Sequence, residues 1–218
     1  MVNELEERVI PMNVAELRAT QAEDGKMIVE GYAIVYNQET VLYDDGMERD
    51  VEIVMPGAAT NVLKTEDQRY LWNHKREWPL ARKSIGTLST TEDQKGVPIR
   101  AEIVNNQYGR DFFETIRTGL VDGQSFAFRV AKDRIEITME EKIRVFRRFI
   151  AEFSTVPEFS AVTFPQYEQT TLGARTRNPV FANRSKAEAS VRDSRTAVQE
   201  VLKDCRENLE TMKEECIP

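Results

Sequence analysis

Two stretches in the second half of the chain alternate apolar and polar residues. Residues 124–138 are QSFAFRVAKDRIEIT, and residues 142–156 are KIRVFRRFIAEFSTV. A period of two is typical of β-strands, so each stretch predicts a strand. The charged residues from 132 to 148 predict that the two strands extend into a long hairpin. The stretch EFSAVTF, residues 158–164, predicts a further strand that completes the series.

Shorter patterns before residue 124 predict more strands and two helices. Asp24-Gly25 between β-prone stretches predicts a hairpin over residues 14–37. The apolar residues of 108–120, Leu120 included, recur at helical spacing and predict a helix. The other predicted elements are strands at 51–57, 69–73, 85–90 and 97–105 and a short helix within 58–65. The first 175 residues are therefore expected to form a β-rich α+β body.

The composition changes near residue 175. The segment 176–218 lacks glycine and mixes charges of both signs, which predicts a charged helical tail behind the 1–175 domain. Its apolar residues are spaced by three or four positions: Val198, Leu202, Cys205, Leu209, Met212 and Cys216. Such a stripe suits a helix that packs on its own domain, and equally one that binds a partner or a second copy.

Charge and composition exclude several classes of function. The net charge of −7 argues against a nucleic-acid partner, because phosphates would be repelled. No apolar run is long enough to span a bilayer, so no membrane partner is expected. The N-terminal residues show no signal-peptide pattern, which predicts an intracellular protein. One histidine and two late cysteines do not fit a zinc site, and no phosphate-binding glycine motif occurs, so we expect neither metal nor cofactor.

His74 is the only histidine of the chain, and it lies in LWNHKREWPLARKS, residues 71–84. Imidazole changes charge near neutral pH, so a solitary histidine can act as a proton carrier. A lone histidine is more often a surface residue or a hydrogen-bonded core residue, so a purely structural role for His74 remains an alternative.

Ser125 follows a glycine-rich bend in GLVDGQSFAF and begins an apolar strand, where a hydroxyl would be held rigidly. A serine that merely begins a strand is the alternative there.

Glu158 lies in the apolar segment TVPEFSAVTFP. A carboxylate in apolar surroundings is costly unless it is paired, and His74 is the natural partner. A solvated Glu158 at a strand edge is the alternative, and Glu77 and Asp122 are weaker candidates for the same role. The residues alone thus suggest a serine, a histidine and an acid in a β-rich body.

Five stretches taken in order give the chain a family resemblance: EGYAIVYNQET (30–40), MPGAA (55–59), LWNHKREWPLARKSIGTLS (71–89), GLVDGQSFAFRV (119–130) and EFSAVTFPQYEQT (158–170). Together they resemble the prohead maturation proteases of tailed bacteriophages, serine peptidases related in fold to the herpesvirus assemblins. No single stretch is specific, but five in order at plausible spacing form a strong signal. The resemblance covers residues 14–175.

The resemblance implies a closed or nearly closed β-barrel wrapped by helices, and an endopeptidase that cleaves the scaffold region of the major capsid protein. The histidine of the family falls on His74, its serine on Ser125 and its acid on Glu158. Arg147 and Arg148 are implied as aids to the oxyanion site. The implied setting is the host cytoplasm, inside the immature capsid, and the implied assembly is a homodimer. The tail would bind scaffold or capsid protein and be removed by the enzyme itself.

Two other functions remain open at this point. A catalytically silent assembly factor of the same fold would bind capsid or scaffold protein without cleaving it. An unrelated β-barrel binding module with a helical oligomerisation tail would form no acyl-enzyme. Loss of cleavage in Ser125→Ala distinguishes the protease from both.

Overall fold

Among the described residues, the longest element is a hairpin of two strands, which carries Ser125 and Glu158 of the predicted site. A computed structural model describes residues 5–121, 123–163 and 181, and the predicted tail otherwise lies outside these residues. Within them the strands are β1 Glu6–Pro11, β2 Arg18–Gln21, β3 Met27–Val35, β4 Thr40–Asp44, β5 Glu48–Val54, β6 Arg69–Trp72, β7 Lys75–Arg82, β8 Leu88–Thr90, β9 Gly96–Glu102, β10 Gly123–Glu140 and β11 Ile143–Val162. The helices are α1 Met12–Ala15, α2 Thr60–Thr65 and α3 Gln107–Arg117.

The predicted long hairpin is confirmed as β10 and β11, which pair antiparallel from Gly123↔Val162 to Glu140↔Ile143. The segment predicted as a separate last strand is instead the continuation of β11. Pro157 lies inside this strand and cannot donate a backbone hydrogen bond. It is accommodated at a shift of register, where Thr155 is opposite Arg129 but Glu158 is opposite Ala127. Proline inside a sheet is expected at such irregularities.

The described strands form two sheets. One has the order β1-β10-β11-β5-β4, with β6 also paired to β11 and β7 paired to β6. The other has the order β2-β3-β9-β8 and contains the predicted hairpin around Asp24-Gly25. The β-rich α+β prediction is confirmed, whereas no pairing among the described strands closes either sheet into a barrel.

Aromatic side chains are among the largest buried in the core. Phe126, Phe128 and Phe153 are fully or almost fully buried and contact one another at centroid distances of 4.9–5.8 Å. Burying one such ring contributes roughly 1.5–3 kcal/mol. The helix predicted over 108–120 ends earlier, at Arg117, so Leu120 lies beyond it and is exposed.

Helix α3 begins where its sequence provides a cap. The Asn106 side chain accepts a hydrogen bond from the Gly109 backbone N–H at 2.8 Å, which satisfies a donor of the first turn. The helix then buries Phe112, Phe113 and Ile116 against the sheets. Among the described residues, no helix has the length and hydropathy needed to cross a membrane.

Candidate active site

His74 lies at the tip of a two-residue turn between β6 and β7. Trp72 and Lys75 are opposite each other, and the two residues between them have positive φ, 51° for Asn73 and 57° for His74. Positive φ at both central residues defines a tight hairpin turn that matches the twist of the strands. For a residue such as His74 this conformation costs roughly 1–2 kcal/mol. Contacts elsewhere must therefore hold the turn in place.

The end of β11 supplies those contacts. The Asn73 backbone N–H donates to the Ala161 carbonyl at 2.9 Å, and the Asn73 side-chain oxygen accepts from the Thr163 N–H at 2.9 Å. The His74 backbone N–H donates to the Ser160 hydroxyl at 3.2 Å. Each residue of the turn is thus tied to β11, which fixes the direction in which the imidazole points.

Strand β11 lies between the elements that carry the predicted site residues. On one side it pairs with β10, where Ser125 is opposite Ser160 and Ala127 is opposite Glu158. On the other side it pairs in parallel with β6, which leads into the His74 turn. Directly opposed residues point to the same face of a sheet. Ser125, Glu158 and Ser160 consequently share the face that His74 covers.

The structure brings the three predicted residues together in one chain of hydrogen bonds. The His74 Nδ1 atom lies 2.6 Å from Glu158 Oε1, and its Nε2 atom lies 2.8 Å from Ser125 Oγ. The carboxylate can therefore orient the imidazole while the other ring nitrogen faces the hydroxyl. This is the relative placement that nucleophilic catalysis by a serine requires.

Ser160 is a fourth polar residue of the site and was not among the residues predicted from the sequence. Its hydroxyl is buried and donates to Glu158 Oε2 at 2.7 Å. The same oxygen accepts the His74 backbone N–H. Ser160 therefore fixes both the acid and the turn that carries the histidine. Its position two residues after Glu158, on the same face of a strand, was the signal that could have identified it.

The surroundings of His74 shift its pKa in opposing directions. Burial of the ring lowers the pKa, because the charged form loses water. The hydrogen bond to Glu158 and its negative charge raise the pKa, and the charge of Glu7 adds to this. The net result is a pKa above the ordinary value for histidine. The carboxylate of Glu7 reaches to 3.8 Å from His74 Nε2.

The other residues considered at the sequence level lie elsewhere or outside the described residues. Glu77 is exposed on β7, and Asp122 is not among the described residues. The Arg147 guanidinium forms ion pairs with Glu39 and Glu140. The Arg148 guanidinium is buried and forms ion pairs with Glu6, Glu52 and Asp133. Carboxylates therefore hold both guanidinium groups, and a part for either arginine at an oxyanion site stays a prediction.

No group of three or more potential metal ligands occurs among residues 5–121 and 123–163.

A family model described as caudovirus prohead serine protease matches residues 13–182 of the chain. Among solved structures, the capsid assembly protease gp21 of bacteriophage T4 matches with a TM-score of 0.42 and 12% sequence identity, over 74% of this chain and 98% of that one. No curated protein matches the chain.

Proposed function

Because the chain belongs to the family of caudovirus prohead serine proteases, we propose that it is a serine endopeptidase with His74, Ser125 and Glu158 as its triad. The observation that carries this proposal is the chain of two hydrogen bonds from Glu158 through His74 to Ser125. Family membership supports a protease role in capsid maturation. The assignment of each residue rests on the geometry.

The chemistry follows from the positions of the atoms. His74 Nε2 takes the proton of the Ser125 hydroxyl while Oγ attacks the carbonyl carbon of the substrate peptide. His74 then gives this proton to the leaving amine, and the C–N bond breaks to leave an ester on Ser125. Water, activated by the same imidazole, cleaves the ester. Glu158 holds the ring in the tautomer that has its proton on Nδ1 and stabilises the imidazolium.

Ser160 has a positioning role in this scheme. Glu158 has two carboxylate oxygens, and the hydrogen bond from Ser160 to Oε2 leaves Oε1 directed at the His74 ring. A hydrogen bond to a charged group contributes about 1.5–3 kcal/mol, enough to hold one orientation of the carboxylate. Ser160 touches neither the substrate nor the reacting atoms in this mechanism, so it acts through Glu158 and His74.

The substrate proposed for this site is the scaffold region of the major capsid protein, and the enzyme itself is a second substrate. Cleavage would take place in the host cytoplasm, inside the immature capsid. The proposed active form is a homodimer, and sedimentation of the purified chain would measure its mass. Residues 176–218 are proposed to bring the enzyme into the assembling shell and then to be removed. Full packaging of a chain that lacks them would contradict that role.

The test is co-expression with the capsid protein of the same phage, followed by intact mass spectrometry. Wild type should shorten the capsid protein and itself, and Ser125→Ala should leave both at full length. Ser154→Ala is the matched control, because Ser154 is an exposed serine on β11 and should cleave like wild type. If wild type assembles capsids without cutting them, the silent assembly factor becomes the better description.

A further inference from the structure

Ser125 is completely buried, with 0% of its surface exposed. A hydroxyl that must attack a peptide carbonyl has to be reached by that peptide. The described arrangement therefore holds an aligned nucleophile that a substrate cannot contact. Some element that covers Ser125 has to move before the first bond is made, and the strand pairing indicates which one.

Strand β1 covers Ser125 from the open side of β10. Val9 is directly opposite Ser125, and its neighbour Arg8 presents a backbone carbonyl to the serine. The Ser125 hydroxyl donates to this carbonyl at 2.9 Å. On the same strand the Glu7 carboxylate lies 3.8 Å from His74 Nε2. A segment of the chain itself thus contacts both the nucleophile and the base.

The contact with Arg8 also has a chemical consequence. A serine hydroxyl has one proton to donate, and both the Arg8 carbonyl and a neutral His74 Nε2 are acceptors. While the proton lies on the bond to Arg8, His74 cannot take it. β1 therefore blocks access and competes with the general base for the same proton.

Strand β1 can detach while Glu52 and Arg148, which it leaves behind, keep ion pairs with other residues. It is the edge of its sheet, so among the described strands it pairs only with β10. Its Glu6 and Arg8 side chains pair with each other at 2.6 Å, and they also hold β1 in place through ion pairs with Arg148 and Glu52. Glu52, which Arg8 contacts, keeps an ion pair with Arg148 at 3.1 Å. The family match begins at residue 13, so β1 lies outside it.

We propose that β1 is an autoinhibitory strand, which covers Ser125 and must detach from β10 before the site accepts a peptide. This proposal rests on the proposed function, because it concerns access to the same nucleophile. It makes the described conformation the resting state of the enzyme. Detachment exposes Ser125, removes the competing carbonyl and frees the edge of β10 at the nucleophile.

The test is to loosen β1 and measure how fast a fluorophosphonate probe labels Ser125 in the full-length chain. Ile10→Ala is the variant, because Ile10 packs into the core opposite Gln124, on the face of β10 away from Ser125. Ile99→Ala on β9 is the matched control, since it removes the same buried atoms from the other sheet. Ile10→Val provides a milder variant if Ile10→Ala fails to fold.

Ile10→Ala should raise the labelling rate on the order of tenfold over wild type, given the size of the packing loss, and Ile10→Val should raise it less. Ile99→Ala should label like wild type. A rate for the Ile10 variants that equals or falls below that of Ile99→Ala would overturn the proposal. Ser125-dependent cleavage of the capsid protein decides the proposed function separately, so an enzyme that cleaves but shows no gain in Ile10→Ala refutes only the autoinhibitory strand.

Discussion

The base and the tip of the β10–β11 hairpin use the same two strands in different surroundings. At the base, residues 123–127 and 158–162, β1 covers one side and β6 the other. At the tip, β10 beyond residue 132 pairs only with β11 among the described strands, and most of its side chains there are exposed. The residues of the base are mostly apolar and are all buried, whereas charged residues are common at the tip and many of them reach water.

Two carboxylates of this hairpin illustrate how access to water differs between the base and the tip. The Glu158 side chain is 12% exposed and is bound by His74 and Ser160, whereas the Glu140 side chain is 42% exposed and contacts Arg147. A buried carboxylate must be paired to remain charged, whereas an exposed one is stabilised by water. At the base, the buried polar groups are therefore paired with one another, and these pairs form the candidate site.

Replacing these two carboxylates by amides should have very different effects on activity. Glu158→Gln should lower kcat by about 10²- to 10⁴-fold, because an amide no longer selects the right tautomer of His74. Glu140→Gln should leave kcat within about twofold, since exposed ion pairs contribute little. Cleavage rates of the purified chains on a capsid-derived peptide measure both. Equal effects of the two changes would contradict the distinction between base and tip.

The same variant should change the pH dependence. The reaction needs neutral His74, so the wild-type rate should rise with pH through the raised pKa of this residue. Glu158→Gln removes the charge that raises the pKa but leaves the burial that lowers it. The acidic limb of the rate profile should therefore move to lower pH. A limb that stays in place would show that Glu158 does not interact with His74 in the working enzyme.

Stability gives an independent check on that pair. A histidine whose pKa is raised by folding stabilises the fold below its unfolded-state pKa, and this contribution is lost as pH rises through the folded-state pKa. The loss of melting temperature in Glu158→Gln should therefore be larger at about pH 5.5 than at about pH 9. An equal loss of melting temperature at both pH values would contradict the predicted link between His74 protonation and stability.

Ser160→Ala should have a smaller effect than Glu158→Gln. It removes one hydrogen bond to the carboxylate, so kcat should fall by about ten- to a hundredfold with KM little changed. Ser154→Ala, on the exposed part of the same strand, is the control. Thr in place of Ser160 keeps the hydroxyl and should recover part of the loss. A change confined to KM would indicate that Ser160 contacts the substrate and does not position the acid.

The strands at the centre of the fold could be predicted from their sequence, as could β2 and β8 at the edges of the second sheet, but the edge strands β1, β4 and β7 of the first sheet could not. Strands β10 and β11 alternate clearly because each buries one face. β1 and β7 were missed, since EERVIP and KREWPLAR carry charges and a proline that are tolerated only at edges and irregular positions. Burial of Arg8 in β1 depends on Glu52, forty-four residues away, and no local pattern shows that.

The candidate site could be predicted in its residue types but not in its geometry. His74, Ser125 and Glu158 became candidates because a lone imidazole, a serine after a glycine-rich bend and a carboxylate in an apolar segment are unusual, and the family resemblance indicated the same three residues. Ser160 was overlooked, although its position two residues after Glu158 in a predicted strand places both side chains on one face. The cover over Ser125 arises from pairing between β1 and β10, more than a hundred residues apart, so only the folded structure reveals it.

The smallest expected effect concerns the turn at the base. Asn73→Ala should lower the free energy of unfolding by about 1–3 kcal/mol, because it loses both the tolerance for positive φ and the bond from Thr163. Asn37→Ala is the control, since Asn37 also has positive φ but is exposed outside the site. Asn73→Gly separates the two causes, because glycine adopts positive φ freely and lacks the side chain. If Asn73→Gly is as stable and active as wild type, the hydrogen bond from Thr163 to the Asn73 side chain contributes nothing, and the backbone contacts alone hold His74. If Asn73→Gly keeps its stability but loses activity, this side-chain hydrogen bond serves to orient the imidazole of His74.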